Sequence, residues 1–313
     1  MKKVFKIMLT AMLAAVCAIS FLACAPNDDN GTGGDTGLLI KKIDGVYTVY
    51  DYVAEEGVTE LDIGKVLSDK QITEDIRIKK GAFDGNDSLT KIVVPAAVKE
   101  IDSGAFRNMQ KLKTLEVPFI GKTINSDGFE NESATAANKS VDAERTIAHF
   151  FGTSEYDAGR AITINYGAST VTCYVPVTFD TVIVNAARAA EGKNYYSIPM
   201  HAFDGATNIK SVTLKGEKLG AIGVSAFNGC VALKTVILAN DLSVAVKENA
   251  FKDCNKLSYF GINADTLPEK TISFANVTAV EENAFDLGNE NVYTVVDADN
   301  LDITAALGET KTA

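Results

Sequence analysis

The chain is 313 residues long, 46% hydrophobic and 23% charged, with a formal net charge of −11. So large an apolar fraction excludes wholesale disorder, and 41 acidic against 30 basic side chains argues against a nucleic-acid partner, which requires a basic surface. Length alone suggests about two domains, a prior that fails for repeat folds.

Lys2, Lys3 and Lys6 give the N-terminus a positive start, and residues 7–23 carry no charge. A basic head followed by an apolar run is the layout of a secretory signal. The run ends in Phe21-Leu22-Ala23-Cys24, which resembles the lipobox of bacterial lipoproteins, where the Cys becomes the lipidated first residue of the mature chain. Phe21 stands where that motif usually has Leu, and the bulk of Val16 makes Cys17 the poorer match. This predicts a signal peptide over residues 1–23, Cys24 as the lipidation site, and an exported protein held at the bacterial envelope by an N-terminal lipid. An ordinary cleaved signal or an uncleaved anchor is the alternative. The segment carries three lysines and no acid, so its removal takes the net charge from −11 to −14. Residues 24–37, dominated by Gly, Asp and Asn, predict a flexible tether. Asp28, Asp29 and Asp35 lack the spacing of an EF-hand loop. No later apolar run is long enough to span a bilayer.

A repeat fills the remainder. Ala-Phe recurs at Phe83, Phe106, Phe203, Phe227, Phe251 and Phe285, with Gly128-Phe129 as a variant. Consecutive Phe residues stand 23 or 24 apart within each run (83, 106, 129 and 203, 227, 251), a period that signals stacked structural units. Five residues before the Phe lie Ile78, Ile101, Ile198, Ile222 and Val246. Six after it lie Leu89, Leu112, Ile209, Leu233 and Leu257; nine after, Ile92, Leu115, Val212, Val236 and Phe260; eleven after, Val94, Val117, Leu214, Leu238 and Ile262. Unbroken apolar occupancy at all these places rules out chance, and the alternation at nine and eleven predicts a half-buried strand. The Phe129 and Phe285 units keep the upstream residue, Ile124 and Val280, and then lose the pattern. Two stretches show the strand spacing without Phe: Val58, Leu61 and Ile63 with Tyr52 in its place, and Phe179, Val182 and Val184 with Cys173. One unit cannot bury its own apolar residues, but a stack of them can. The array is expected over residues 38–313, with an irregular segment at about 130–196 and a polar helix or loop at 135–145.

The units resemble the BspA-like leucine-rich repeats of bacterial surface proteins, whose consensus reads roughly I-x-x-x-A-F-x-x-C-x-x-L-x-x-I-x-I-P. Residues 222–238 read IGVSAFNGCVALKTVIL and residues 101–118 read IDSGAFRNMQKLKTLEVP. Longer units of that family carry F-G with a downstream V-P, and Phe151-Gly152 with Val175-Pro176 looks like one. The resemblance covers about residues 45–296. It implies a leucine-rich-repeat solenoid, β-rich, secreted or surface-anchored, in a family where some members act as adhesins.

Candidate chemistry is sparse. Cys173, Cys230 and Cys254 remain after the signal, and the last two stand one period apart, three residues after their Phe. They are either a disulfide between adjacent coils or, as favoured here, buried thiols filling the core, which is how the resembled family uses this position. His149 and His201 are the only histidines. No G-x-S-x-G, H-E-x-x-H or Gly-rich phosphate loop occurs, and Glu55-Glu56 and Glu281-Glu282 read as solvated acids in turns. The expectation is therefore no catalytic residue, no metal and no cofactor, unless a pocket with His149 and clustered acids opens in the 130–196 segment.

The better candidate is the sheet face between the buried strand positions. It comprises Lys91 and Val93, Thr114 and Glu116, Thr181 and Ile183, Ser211 and Thr213, Thr235 and Ile237, Tyr259 and Gly261. This ladder is poor in charge on an acidic chain, which marks an interaction face, although β-branched residues also simply make good strand surfaces. The expected partner is a protein of host or bacterial surface, bound by a non-catalytic displayed module. A glycan-capture accessory protein is the alternative, weakened by the absence of Trp.

Overall fold

The computed structural model describes residues 36–124, 143–166, 169–203, 205–262, 268–299 and 301–313. The segment expected to be a signal peptide, Cys24, most of the expected tether and the Phe129 unit lie outside them, as does most of the 135–145 segment.

The chain begins with a hairpin of β1 (Gly37–Ile43) and β2 (Val46–Val53). It turns at Asp44-Gly45, both left-handed with φ 52° and 83°, the geometry that Asp-Gly supplies in a two-residue hairpin. Gly37, assigned above to the tether, already pairs with Val53. Next come β3 (Glu60–Asp62) and a helix α1 (Ile63–Asp69), capped by the Asp62 carboxylate, which accepts from the Lys65 amide at 3.1 Å. The coils then alternate: β4 (Ile76–Ile78), β5 (Lys91–Val93), β6 (Val98–Ile101) and β7 (Thr114–Val117). Two 3-10 turns, Ala143–Arg145 and Ile147–Phe150, precede an antiparallel hairpin of β8 (Gly159–Tyr166) and β9 (Ser169–Pro176). Regular coils resume with β10 (Thr181–Asn185), β11 (Tyr196–Ile198), β12 (Ser211–Lys215), β13 (Leu219–Ile222), β14 (Thr235–Leu238) and β15 (Val244–Val246). The last elements are β16 (Tyr259–Gly261), β17 (Thr271–Ser273), β18 (Val277–Val280), β19 (Val292–Val296) and β20 (Lys311–Thr312).

One sheet collects ten strands in the order β3-β5-β7-β10-β12-β14-β16-β17-β19-β20, every neighbouring pair parallel. The strands upstream of each Phe form two shorter sheets, β1-β2-β4-β6 and β11-β13-β15-β18. For Phe83, Phe106, Phe203, Phe227 and Phe251, the residues five before and six, nine and eleven after fill the interior, except that Ile262 is only partly buried. Ile78, Leu89, Ile92, Ile222, Leu233 and Val236 are all wholly buried. This is the β-rich leucine-rich-repeat solenoid expected, with residues 35–313 forming one unit.

The Ala-Phe turns build a third column. The Phe83 amide donates to the Ala105 carbonyl at 3.0 Å, Phe203 to Ala226, Phe227 to Ala250 and Phe251 to Ala284, the last three at 2.8 Å. The rings pack in series, with centroids 5.1 Å apart for Phe83 and Phe106, 4.4 Å for Phe203 and Phe227, 5.0 Å for Phe227 and Phe251, and 5.1 Å for Phe251 and Phe285. Each such contact adds roughly 0.5–1.5 kcal/mol beyond the area buried. Tyr52 stacks on Phe83 at 5.8 Å, taking the aromatic place its sequence position suggested. The turns are kept tight by left-handed residues two before and two after the Phe: Gly104 and Asn108, His201 and Gly205, Ser225 and Gly229, Asn249 and Asp253. Gly, Asn and Asp tolerate that conformation best.

Four details depart from the sequence pattern. Cys173 does not stand at the Phe place: it lies in β9, opposite Ile162. The turn there is residues 147–151. The Phe106 amide donates to the Phe150 carbonyl at 2.9 Å, and the Ile147 amide donates to the Ala202 carbonyl at 2.8 Å, so this segment fills the rung between Phe106 and Phe203. The β8–β9 hairpin is an excursion between that turn and its strand β10, which explains why the period breaks. After β16 the sheet gains β17 before β18 returns to pair with β15, so Phe285 lies further from Phe251 than one period. In the Phe285 unit the strand slips by one residue, burying Tyr293, whose Oη donates to the Leu257 carbonyl at 2.5 Å. A further turn follows: the Phe285 amide donates to the Ala306 carbonyl at 2.8 Å, which places Leu307 where earlier turns carry Phe.

Candidate functional site

Parallel pairing without register shift turns the predicted face into two straight rows. One row runs Lys91, Thr114, Thr181, Ser211, Thr235, Tyr259; the other runs Val93, Glu116, Ile183, Thr213, Ile237, Gly261. Their neighbours Ile92, Leu115, Val182, Val212 and Val236 are wholly buried on the opposite side, as strand alternation requires. Thr181, Ile183, Ser211, Thr213, Thr235 and Ile237 are all half-exposed and none is ionisable. Lys91 sits at the edge of this window, 3.5 Å from Glu60.

Three members of the predicted face, Tyr259, Gly261 and Glu116, are buried and not open to a partner. Tyr259 is only 5% exposed, its hydroxyl bonded to the Ile262 carbonyl. The Thr271 hydroxyl donates to the Pro268 carbonyl at 2.7 Å, and Thr271 and Ser273 are wholly buried. Gly261 is needed here: a Cβ would come within 2.6 Å of Ser273 Cβ. Glu116 is 8% exposed, held by Lys215 Nζ at 3.0 Å and by Asn185 Nδ2 at 2.9 Å. That three-strand clamp was not anticipated. Its only sequence signal is a polar residue just past the second buried position of β10 and β12. The open window therefore lies between β5 and β14, with Glu116 a neutralised anchor within it.

His149 borders a basin of about 250 Å³ together with Arg77, Lys80, Glu100, Asp102, Lys122 and Glu144. Its chemistry is already committed. The ring is 4% exposed and its Nε2 donates to the Ile101 carbonyl at 2.9 Å. Asp102 accepts two bonds from Arg77, at 3.0 and 2.7 Å, and one from the Lys80 amide at 3.2 Å. His201 sits half-buried at the left-handed place of its turn.

No disulfide joins Cys230 and Cys254. Each thiol donates to the Phe carbonyl of the preceding coil, Cys230 to Phe203 at 3.4 Å and Cys254 to Phe227 at 3.0 Å. Burial pushes the Cys254 thiol up to about 12 and that of Cys173 to about 11, far from the range of a reactive thiolate. Among the described residues, no group of three His, Cys, Asp or Glu is placed to hold a metal ion, and no helix is long and apolar enough to cross a membrane.

The model of the BspA type leucine rich repeat region matches residues 76–153 and 192–294 in six copies, more than half of the chain. Among solved structures, a leucine-rich repeat protein from Eubacterium ventriosum is similar at 16% identity and a TM-score of 0.39, over 79% of this chain and 49% of that one. The chain thus spans about half the length of that protein. A leucine rich cell surface protein from Faecalibacterium prausnitzii is 14% identical with a TM-score of 0.28, covering 85% of this chain and 89% of that one. A leucine-rich repeat protein from Bacteroides ovatus is 13% identical with a TM-score of 0.21, covering 90% and 99%. No curated protein matches the sequence.

Proposed function

Because the chain belongs to the BspA-type leucine-rich-repeat family, we propose that it is a non-catalytic binding protein displayed at the bacterial cell surface, holding a protein partner on the sheet face between β5 and β14. The observation that carries this reading is the in-register window of Thr181, Ile183, Ser211, Thr213, Thr235 and Ile237, uncharged on a chain of net charge −11. Charge depletion around exposed β-branched side chains is the composition of an interface core rather than of ordinary surface. Solenoids bind along such faces because neighbouring coils present the same positions side by side. Adhesion to a host or bacterial surface protein is the role proposed for this face.

Display follows from the N-terminus in this reading: residues 1–23 direct export and Cys24 carries the lipid. Globomycin-sensitive maturation to a chain beginning at Cys24 is the expected result, and a mature protein that keeps Met1 or begins elsewhere refutes the anchor. For the face, the full chain is used to capture partners from host matrix and secreted proteins. Replacing Ile183, Thr213 and Ile237 with Asp, with the melting temperature preserved, is expected to abolish capture; undiminished binding removes this face.

A further inference from the structure

The residue that leads each coil into the long sheet forms a row of its own, one step outside the window described above. Backbone bonds define it: Asp180 N–H to Lys113 O at 3.2 Å, then Lys210 to Asp180, Lys234 to Lys210 and Ser258 to Lys234, each at 2.8 Å. Lys113, Lys210 and Lys234 are exposed, and Lys111 and Lys256, two residues before the row, are exposed beside them. The acid in this row is already used: the Asp180 carboxylate accepts from Thr181 Oγ1 at 2.9 Å and lies 3.0 Å from Lys210 Nζ. Among the described residues, Lys111, Lys113, Lys234 and Lys256 have no carboxylate within ion-pair distance, whereas Lys91, Lys122, Lys215, Lys247 and Lys252 all do. Unpaired ammonium groups occur elsewhere too, as at Lys65, Lys70 and Lys193, but here four of them line one edge of the sheet, next to the hydroxyls of Thr114, Ser211 and Thr235.

We propose that this lysine edge, Lys111, Lys113, Lys210, Lys234 and Lys256, binds an acidic polysaccharide of the uronate class lying along the stacking direction. The geometry selects the polymer. The rungs repeat at about 4.8 Å, while an extended peptide presents same-side groups every ~6.8 Å and falls out of step with them. One pyranose unit of an extended 1,4-linked chain advances by about one rung, so the polymer keeps step with the coils. Its carboxylates reach the ammonium groups of the β7, β12, β14 and β16 coils, the β10 coil carrying Asp180 instead, while ring hydroxyls reach the Thr and Ser row. Flexible lysines suit such a ligand because each ammonium is a rotatable point charge that does not demand fixed bidentate geometry. The charge density of duplex nucleic acid, by contrast, is opposed by the acidic remainder of the molecule. The lysines lie outside the protein-binding window and share with it only the Thr114, Ser211 and Thr235 row, so the lysine variants test this site independently of that reading.

The test uses the full chain and polygalacturonate, titrated at low and moderate salt. Expected is binding that weakens as salt rises, and a loss of at least about tenfold in affinity in the triple variant Lys113→Gln, Lys234→Gln, Lys256→Gln. A control variant, Lys65→Gln, Lys70→Gln, Lys193→Gln, removes the same charge from exposed positions elsewhere and is expected to bind within about twofold of the parent. Matching melting curves for all three proteins exclude misfolding. The proposal is overturned by equal weakening in both variants, by absence of binding at low salt, or by dextran, polyglutamate or duplex DNA binding as tightly as polygalacturonate.

Discussion

The Nε2 of His149 donates to the carbonyl oxygen of Ile101 at 2.9 Å, a bond that ties the turn at residues 147–151 to the end of β6. A carbonyl only accepts, so that nitrogen carries the proton, and burial holds the imidazole below its ordinary pKa, outweighing the backbone bond that raises it. The folded state therefore binds the second proton less readily than the unfolded chain. Stability contributed by neutral His149 is fully present above about pH 6.5 and declines as the pH falls below it, with a limiting slope of about 1.4 kcal/mol per pH unit. Urea unfolding across pH 7.5 to 5 is expected to show this decline, and His149→Gln to flatten it. An unchanged slope in the variant assigns the acid sensitivity to other groups.

The aromatic series makes the middle of the array the costliest place to delete mass. Phe227 is wholly buried between Phe203 and Phe251, so Phe227→Ala is expected to cost about 3–5 kcal/mol. Val292, half-exposed at the start of β19, changes stability by less than about 0.5 kcal/mol when cut to Ala. Equilibrium denaturation measures both, and similar losses at the two sites contradict the packing described.

The two left-handed glycines that follow Phe203 and Phe227 have the same backbone and different surroundings. At Gly229, φ is 69° and a Cβ meets nothing within 4 Å; at Gly205, φ is 68° and a Cβ would lie 2.8 Å from Ile162 Cγ2 in the β8–β9 hairpin. Gly229→Ala carries only the left-handed penalty of roughly 1–2 kcal/mol. Gly205→Ala must also displace the hairpin, so the larger loss is expected there, with new protease sensitivity within residues 159–176. Equal losses refute the hairpin contact.

The thiols of Cys173, Cys230 and Cys254 are all at most 2% exposed. Iodoacetamide at pH 8 is expected to leave them unmodified in the native protein and to label all three in guanidinium, as read by peptide mass. Rapid native labelling of Cys254 contradicts its burial beneath the Phe227 carbonyl.

Much of this architecture is legible in the spacing of Phe alone. Once Phe83, Phe106, Phe203, Phe227 and Phe251 are aligned, the residues at fixed offsets name the core, and parallel pairing at constant register then names the face. The reading fails where a rung keeps its backbone role but changes its side chain. Leu307 and the 147–151 turn are recognised by which carbonyl receives the preceding Phe amide, a relation between coils that composition does not record. It fails also at an outward position that is buried: strand alternation points Tyr259 outward, and only the bond to Ile262 shows that its hydroxyl is engaged. Within the candidate site, the paired state of Glu116 depends on Lys215, two strands and 99 positions away, beyond the range of any local motif.

The β8–β9 hairpin departs after Phe151 and the chain is back in register by Phe179, while the rungs on either side stay bonded as if nothing intervened. The inward side of the hairpin, Ile162, Ile164, Cys173 and Val175, joins the same interior as the rungs, so drift is free only on its outward side chains. Descendants of such a gene are free to diversify there while holding the turn residues beside each Phe nearly constant, so novelty and conservation fall on separate parts of one surface.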